Sequence, residues 1–301
     1  MLSVIIHTKN SAKTLKKCLE SVLFADEIII MDMKSSDETL KVAKKYDVRF
    51  FTTKDVGYVE PARNEAISKA KGDWVFILDA DEEMAPKLQE LISQLSLDNW
   101  KIGEPVAYKI ARKNIIWGKW MEHTGWWPDH QLRLFVKGKV EWKDEIHSEP
   151  KVSGEVKNLP ADPSLAILHH NYTSVSDFIS RLDRYSSIQA KEASKSTTLS
   201  QTKVVEVFFD EFFRRTFQWN GIKDGTHGLA LSMMQSMSEL IKDLKVWEQQ
   251  DFKENKQSES EVVDSLHVIQ KNMKYWLADW HVKNSSGISK FVWKVRRKLK
   301  I

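Results

Sequence analysis

The sequence predicts an α/β fold: a mostly parallel sheet with helices on both faces, followed by a helical C-terminal region. Three observations predict it. Over the first eighty residues, short β-rich runs alternate with runs of helical spacing. The apolar run Trp74–Leu78 ends on four polar or small residues, Asp79-Ala80-Asp81-Glu82, as a buried strand does at the edge of an open sheet. From Ser176 onward the apolar residues recur at helical spacing.

Taken in order, Ser3–Thr8 reads as a strand, and Leu15, Cys18, Leu19 and Val22 as one face of a helix. Glu27–Met31 is a second strand, ending at Asp32. Ser36-Asp37 is a cap for a helix through Tyr46, and Val48–Thr52 is a third strand. Pro61 suits the first turn of a helix that stops near Gly72, and Trp74–Leu78 is the fourth strand. Short links between alternating strands and helices call for crossover connections and hence parallel pairing.

Beyond the acidic stretch, Pro86 opens an amphipathic helix carrying Leu88, Leu91, Ile92 and Leu95. Short strands follow at Val106–Ala111, Leu132–Val136 and Ala166–His169. Lys137-Gly138 is expected to turn a hairpin into Lys139–Trp142. Four helices are expected at Ser176–Lys195, Lys203–Phe217, His227–Gln250 and Ser260–His281, with a polar loop between the last two.

The chain has 301 residues and 42% hydrophobic content, enough for one large domain or two modest ones. Its one cysteine, Cys18, excludes an internal disulfide framework and fits a reducing compartment. The amino terminus reads as a strand and not as a signal peptide, and no window is apolar enough to span a membrane. Cytoplasmic location is therefore expected. Net charge is +4, but six basic residues and no acid lie in the last fourteen positions. The basic character belongs to that tail, so nucleic acid is not an expected partner.

A nucleotide can be held by a glycine-rich loop or through a metal ion that neutralises its diphosphate. His7-Thr8-Lys9-Asn10-Ser11, after the first strand, has no glycine. Asp79 and Asp81 suit the metal instead, the alternative being an acidic loop at the amino end of the next helix. Asp32 could accept hydrogen bonds from a base or ribose, or be a turn residue. Arg63 could pair with phosphate, or be a solvated helix residue. Six of the twelve tryptophans fall between Trp100 and Trp142. In Trp126-Trp127-Pro128-Asp129-His130, a carboxylate beside a tryptophan pair is a candidate general base. Asp144, Glu145 and His147 form a second polar cluster, in which His147 could complete a metal shell. Nothing in the sequence places His169-His170 near the acids.

With these residues assembled, the chain resembles the family 2 glycosyltransferases of the GT-A, Rossmann-like fold. The likeness runs through Ser3–Asn10, Ile30–Thr39, Ala62–Ala66 and Leu78–Glu82. Gly125–Phe135 and Asp224-Gly225-Thr226-His227-Gly228 resemble, more particularly, the bacterial branch containing lipopolysaccharide-core β-glycosyltransferases. The resemblance implies inverting transfer of a sugar from a nucleotide-diphosphate sugar, usually UDP-linked, with Mg²⁺ or Mn²⁺, to a glycan or lipid-linked glycan. By position it puts Thr8, Asn10, Asp32, Arg63 and Asp79 at the nucleotide and sugar, and Asp81 at the metal, with Asp79 and His147 as further candidate ligands. It makes Asp129 the catalytic base; Trp126 and Trp127 are candidate acceptor contacts because aromatic faces pack against sugars, the alternative being core filling. Many members have Glu-Asp followed by Gln-x-x-Arg-Trp, whereas this chain has Asp129-His130 and Gln131-Leu132-Arg133. Asp144 and Glu145 are therefore rival bases. The implied organisation is a catalytic nucleotide-sugar-binding domain over 1–172, a helical region over 173–285 and a basic amphipathic tail helix over 286–301.

In that tail, Ile288, Phe291, Val292, Val295 and Leu299 form one helical stripe. Lys290, Phe291, Trp293, Lys294, Arg296, Arg297 and Lys298 are the expected contacts with an anionic membrane surface. The alternative is a helix docked on the protein by its apolar stripe. A peripheral position on the cytoplasmic face of the inner membrane follows from the first reading. Two rivals to the transferase are a nucleotide-sugar-forming nucleotidyltransferase, disfavoured by the missing glycines, and a non-catalytic membrane-associated scaffold.

Overall fold

The computed structural model describes residues 1–94, 104–143, 149–193 and 199–300. Asp144, Glu145 and His147, and Trp100 among the tryptophans, lie outside the described residues. The chain divides into two compact units, one of Met1–Trp120 and Trp126–Thr173, the other of Met121–Gly125 and Ser174–Ile301.

The first unit alternates as expected: β1 (Leu2–Thr8), α1 (Leu15–Glu20), β2 (Glu27–Asp32), α2 (Thr39–Ala43), β3 (Arg49–Thr52), α3 (Glu60–Lys69), β4 (Trp74–Asp79). These four strands pair in parallel in the order β3-β2-β1-β4. Then come β5 (Glu82–Met84), α4 (Pro86–Gln94), β6 (Ala107–Ile116), β7 (Lys119–Trp120), β8 (Asp129–Val136), β9 (Val140–Glu141), β10 (Lys151–Val152), β11 (Val156–Asn158) and β12 (Ile167–His170). β8 joins antiparallel to β4, and the sheet continues β8-β6-β12-β5. The expected hairpin from β8 into β9 does not form. Both edges of β8 are already taken by β4 and β6, so β9 pairs with β10 instead.

Alternation along the strands divides the core. Val4, Ile6, Ile28, Ile30, Phe76 and Leu78 pack with α1 and α4 on one face. Ile5, Ile29, Met31, Val75 and Ile77 pack with Ala62, Ala66 and Ile67 of α3 on the other. Each such fully buried side chain contributes roughly 1.5–3 kcal/mol. Cys18 is one of these buried residues, and burial pushes its thiol pKa up, as an unreactive core cysteine requires.

One irregularity bears on the site. Tyr108 pairs with Leu134 and Lys109 with Leu132, so Arg133 is an extra residue on β8. The bulge puts Leu132 and Phe135 in one face of the core and Leu134 in the other.

The second unit holds α5 (Val175–Glu192), α6 (Gln201–Phe213), α7 (Gly225–Glu248), α8 (Glu259–Asn284) and α9 (Gly287–Leu299). A π-helical turn over Arg214–Gln218 extends α6. The segment Met121–Gly125 is tied into this unit. Buried Asp224 accepts from the His123 backbone N–H at 2.9 Å and faces His123 Nδ1 at 2.9 Å, and Arg215 donates to the Thr124 carbonyl. This explains the Asp224–Gly228 motif. Asp224 is the anchor, and at Gly228 a Cβ would lie 1.9 Å from the Gly221 carbonyl oxygen.

α9 folds back on α8 with an unexpected face. Trp293 stacks on His281 with ring centres 3.9 Å apart, and Arg297 donates to Asp279 at 2.6 Å. Trp293 and Arg297 therefore face α8, contrary to their expected membrane position. The apolar stripe points away: Ile288 is 85% and Phe291 67% exposed, and Val292, Val295 and Leu299 are also exposed.

Candidate functional site

Three parallel strands of the first unit end side by side on polar residues, β1 on Thr8, β2 on Asp32 and β4 on Asp79. This is the edge at which open α/β sheets bind ligands. Thr8 Oγ1 donates to Asp32 Oδ1 at 2.7 Å, and Asp32 also accepts from Ser35 N–H at 2.8 Å and Oγ at 2.6 Å. Asn10 holds the adjoining loop, its Oδ1 accepting from Ser36 N–H at 2.8 Å. The predicted nucleotide residues thus form one connected group, apart from Arg63 and Asp79, which belong to the next.

That second group is a chain of ionic contacts. Asp79 lies 3.7 Å from Arg63 and accepts from Arg133 at 3.1 Å. Arg133 also donates to Glu82 at 2.5 Å, and Arg112 reaches Glu82 at 3.4 Å. Arg112 donates from Nε and Nη2 to Asp129 Oδ2, at 2.8 and 2.6 Å. Gln131 donates to Asp129 Oδ1 at 2.7 Å, and Asn114 Nδ2 to its Oδ2 at 3.2 Å. Asn114 Oδ1 then faces His169 Nδ1 at 2.7 Å, and His169 Nε2 lies 3.6 Å from Asp81 Oδ2.

Register builds this chain. Arg112 is directly opposite Asp129 on β6 and β8, and Asn114 is opposite His169 on β6 and β12. Arg112 and Asn114 are two apart in one strand, so both reach the same face. Arg133 reaches Asp79 and Glu82 from the bulge, the kind of position where a side chain is re-aimed next to a site.

Electrostatics follow from these contacts. Burial alone would raise the Asp79 carboxyl pKa, but Arg133 and Arg63 outweigh it and hold the group well below the usual carboxylate range. Asp129 is lowered in the same way. Burial opposes its ionisation, and Arg112, Gln131 and Asn114 overcome it. His7, buried beside Arg63 and Asp79, is lowered to about 3, first by burial and then by Arg63. Neither of its ring nitrogens reaches a partner at hydrogen-bond distance and angle among the described residues.

Among the described residues, no three His, Cys, Asp or Glu side chains cluster as a metal shell. Asp81 and His169 nevertheless fit two positions of one. Asn114 donates its amide N–H groups to Asp129 and to the Trp126 carbonyl, so its oxygen accepts from His169 Nδ1–H. With Nδ1 so engaged, the other ring nitrogen, Nε2, is the one on the Asp81 side, the outer-shell arrangement of a ligating histidine. Asp81 and His169 would hold a divalent cation, whose charge would neutralise a diphosphate.

Beside Asp129 lie the aromatic residues. Trp127 meets Trp120 edge to face at 5.4 Å, Trp126 meets Tyr172 at 6.3 Å, and Lys113 sits 4.4 Å over the Trp120 ring.

Residues 3–149 match the model of glycosyl transferase family 2. That stretch, just under half of the chain, is similar to glycosyl transferase family 2. An uncharacterized glycosyltransferase of Rickettsia felis is 24% identical, aligned over 95% of this chain and 99% of its own length. The lipopolysaccharide core biosynthesis glycosyltransferase LpsC of Rhizobium meliloti is 24% identical over 84% of this chain and 94% of its own. The solved structure of S. aureus TarS 1-349 in complex with UDP is similar over 83% of this chain and 91% of that one, at 14% identity and a TM-score of 0.41.

For this glycosyltransferase, sequence reasoning found both ends of the ionic chain, Asp79/Asp81 and Asp129. It missed the links, Arg112, Asn114, His169 and the buried Glu82. A period-2 reading of Arg112-x-Asn114 and Asp129-x-Gln131 would have flagged two polar strand faces.

Proposed function

We propose that the protein transfers a sugar from a UDP-sugar to a hydroxyl of a glycan or lipid-linked glycan, with inversion, in synthesis of a bacterial cell-envelope polysaccharide. The observation that carries this reading is the link between Asp81–His169 and Asp129 through the single side chain Asn114. A donor-side cation pair and a candidate base are thereby held on one scaffold. The name and near-complete alignment of the lipopolysaccharide-core relative support the acceptor class.

In this reading Thr8, Asn10 and Asp32 bind the nucleoside, Arg63 pairs with phosphate and Asp79 faces the ribose or sugar. Asp81 and His169 would hold Mg²⁺ or Mn²⁺, which would neutralise the diphosphate and assist its departure as a Lewis acid. Asp129 takes the proton of the acceptor hydroxyl as that oxygen attacks the anomeric carbon. The bond from that carbon to the diphosphate oxygen breaks, and UDP leaves with the electron pair. Trp126 and Trp127 pack against the acceptor. Arg112 keeps Asp129 ionised and oriented.

No helix among the described residues is long and apolar enough to cross a membrane. The outward stripe of α9, with the basic residues of the tail, supports peripheral attachment to an anionic cytoplasmic leaflet.

The test is UDP release from a panel of UDP-sugars with a glycan acceptor, with Mn²⁺ or EDTA, and the anomer of the product read by NMR. Transfer that is metal-dependent and inverting is expected. Retention of configuration, transfer indifferent to EDTA, or pyrophosphate release from nucleoside triphosphates instead would overturn it.

A further inference from the structure

The second unit contains a cavity of about 540 Å³ that the transfer reaction does not use. Arg214, Lys300, Asp210, Phe213, Tyr275 and Trp276 are among its lining residues. Its volume is within the range of small-molecule sites, ~300–1,000 Å³.

Three observations define what it would take. The first is its place. Lys300 caps α9 and lines the cavity, with its Nζ 6.0 Å from the Tyr275 ring centre. At 3.6 residues per turn the apolar stripe of α9 spans roughly 100°, with Arg296 along one edge and Lys294 and Lys298 along the other. A helix lying on a leaflet by that stripe brings its last residue to headgroup level. The second is charge. Arg214 and Lys300 supply two cations, while Glu211 is shared between Arg214 and Arg215. Asp210 is the opposing carboxyl. Burial, with Glu206 nearby, raises its pKa against the pull of Arg214. The third is the wall. Trp276 stacks on Phe217 at 6.4 Å and meets Tyr275 edge-on, giving a fixed aromatic surface. Basic and aromatic side chains together at one level are the combination found at headgroup depth.

We propose that this cavity is a binding site for a phosphate-bearing headgroup, Arg214 and Lys300 pairing with the phosphate and Tyr275 and Trp276 packing against the hydroxylated part. The proposal rests on the peripheral-membrane reading of α9 for its location, and on the cavity alone for its chemistry.

The experiment uses the full chain in vesicle flotation. Phosphatidylcholine vesicles carry either phosphatidylglycerol or oleate at matched surface charge. Wild type is expected to bind phosphatidylglycerol vesicles about tenfold more tightly, the scale of one charge-assisted hydrogen bond. Arg214→Gln and Lys300→Gln should each lose the preference and bind the two vesicles equally, any loss of general charge attraction being common to both. Equal wild-type affinity for the two vesicles, or preference unchanged in Arg214→Gln, overturns the proposal. A second arm titrates soluble glycerol phosphate and follows the indole N–H resonance of Trp276, assigned with Trp276→Phe. A saturable shift, lost in Arg214→Gln, is expected. Such a shift without any vesicle binding keeps the site and rejects the membrane reading; no shift and no phosphate preference rejects the site.

Discussion

His169 Nδ1 lies 2.7 Å from Asn114 Oδ1, while its Nε2 lies 3.6 Å from Asp81. An asparagine amide thereby decides which nitrogen of the histidine meets the acid of the Asp79-Ala80-Asp81-Glu82 stretch.

If His169 is a metal ligand, Asn114→Ala should weaken Mn²⁺ binding in the presence of UDP about 10–100-fold, the usual cost of losing an outer-shell partner. Electron paramagnetic resonance of free Mn²⁺ measures it. Unchanged affinity would remove His169 from the shell.

Asp129→Asn should keep UDP binding and lose transfer by at least ~100-fold, the lower end of general-base contributions. Because Asp129 is held below the ordinary carboxylate range, wild-type activity should show no acid limb from this group above about pH 4. Transfer rates near wild type in Asp129→Asn would move the base elsewhere.

Glu82 and Arg133 are a buried pair, the Arg133 side chain being 3% exposed. Replacing the acid in Glu82→Gln should destabilise the protein by about 1–3 kcal/mol, since Arg133 and Arg112 each lose a buried carboxylate contact while Asp79 and Asp129 still face them. Urea denaturation tests this, and a loss below about 1 kcal/mol would show the pair to be dispensable to the fold.

His7 sets a pH dependence. Its pKa is lowered from 6.5 to about 3, so the unfolded chain binds more protons between those values. Stability from this group is present above pH 6.5 and is lost as pH falls toward 3, by about 2 kcal/mol at pH 5. His7→Met should flatten the curve over that window. An unchanged slope between pH 7 and 5 would mean that His7 is solvated or charged in the native state.

Ile288 and Phe291 are exposed, so Ile288→Asp with Phe291→Asp should leave thermal stability within about 0.5 kcal/mol. The same change should abolish flotation with anionic vesicles. Retained flotation would rule out the stripe as the contact.

By itself the sequence determined the parallel half of the sheet, because β1, β2 and β4 carry apolar runs and β3 a Phe-Phe pair, separated by helical segments. It also determined which carboxylates stand at strand ends, Asp32 and Asp79, since chain direction puts them at one edge. Only the tertiary structure decided the rest. Which residue faces Asp129 depends on the register of β6 against β8, and that register shifts at Arg133, where strict alternation fails. His169 comes from a strand ninety residues beyond the acids and meets them because β12 lies between β6 and β5. In α9 the sequence marks an apolar stripe but not the direction it faces. The stacking of Trp293 on His281 and the Arg297–Asp279 pair decide that, because they satisfy α8 with the polar and aromatic side of the helix and leave the stripe outside.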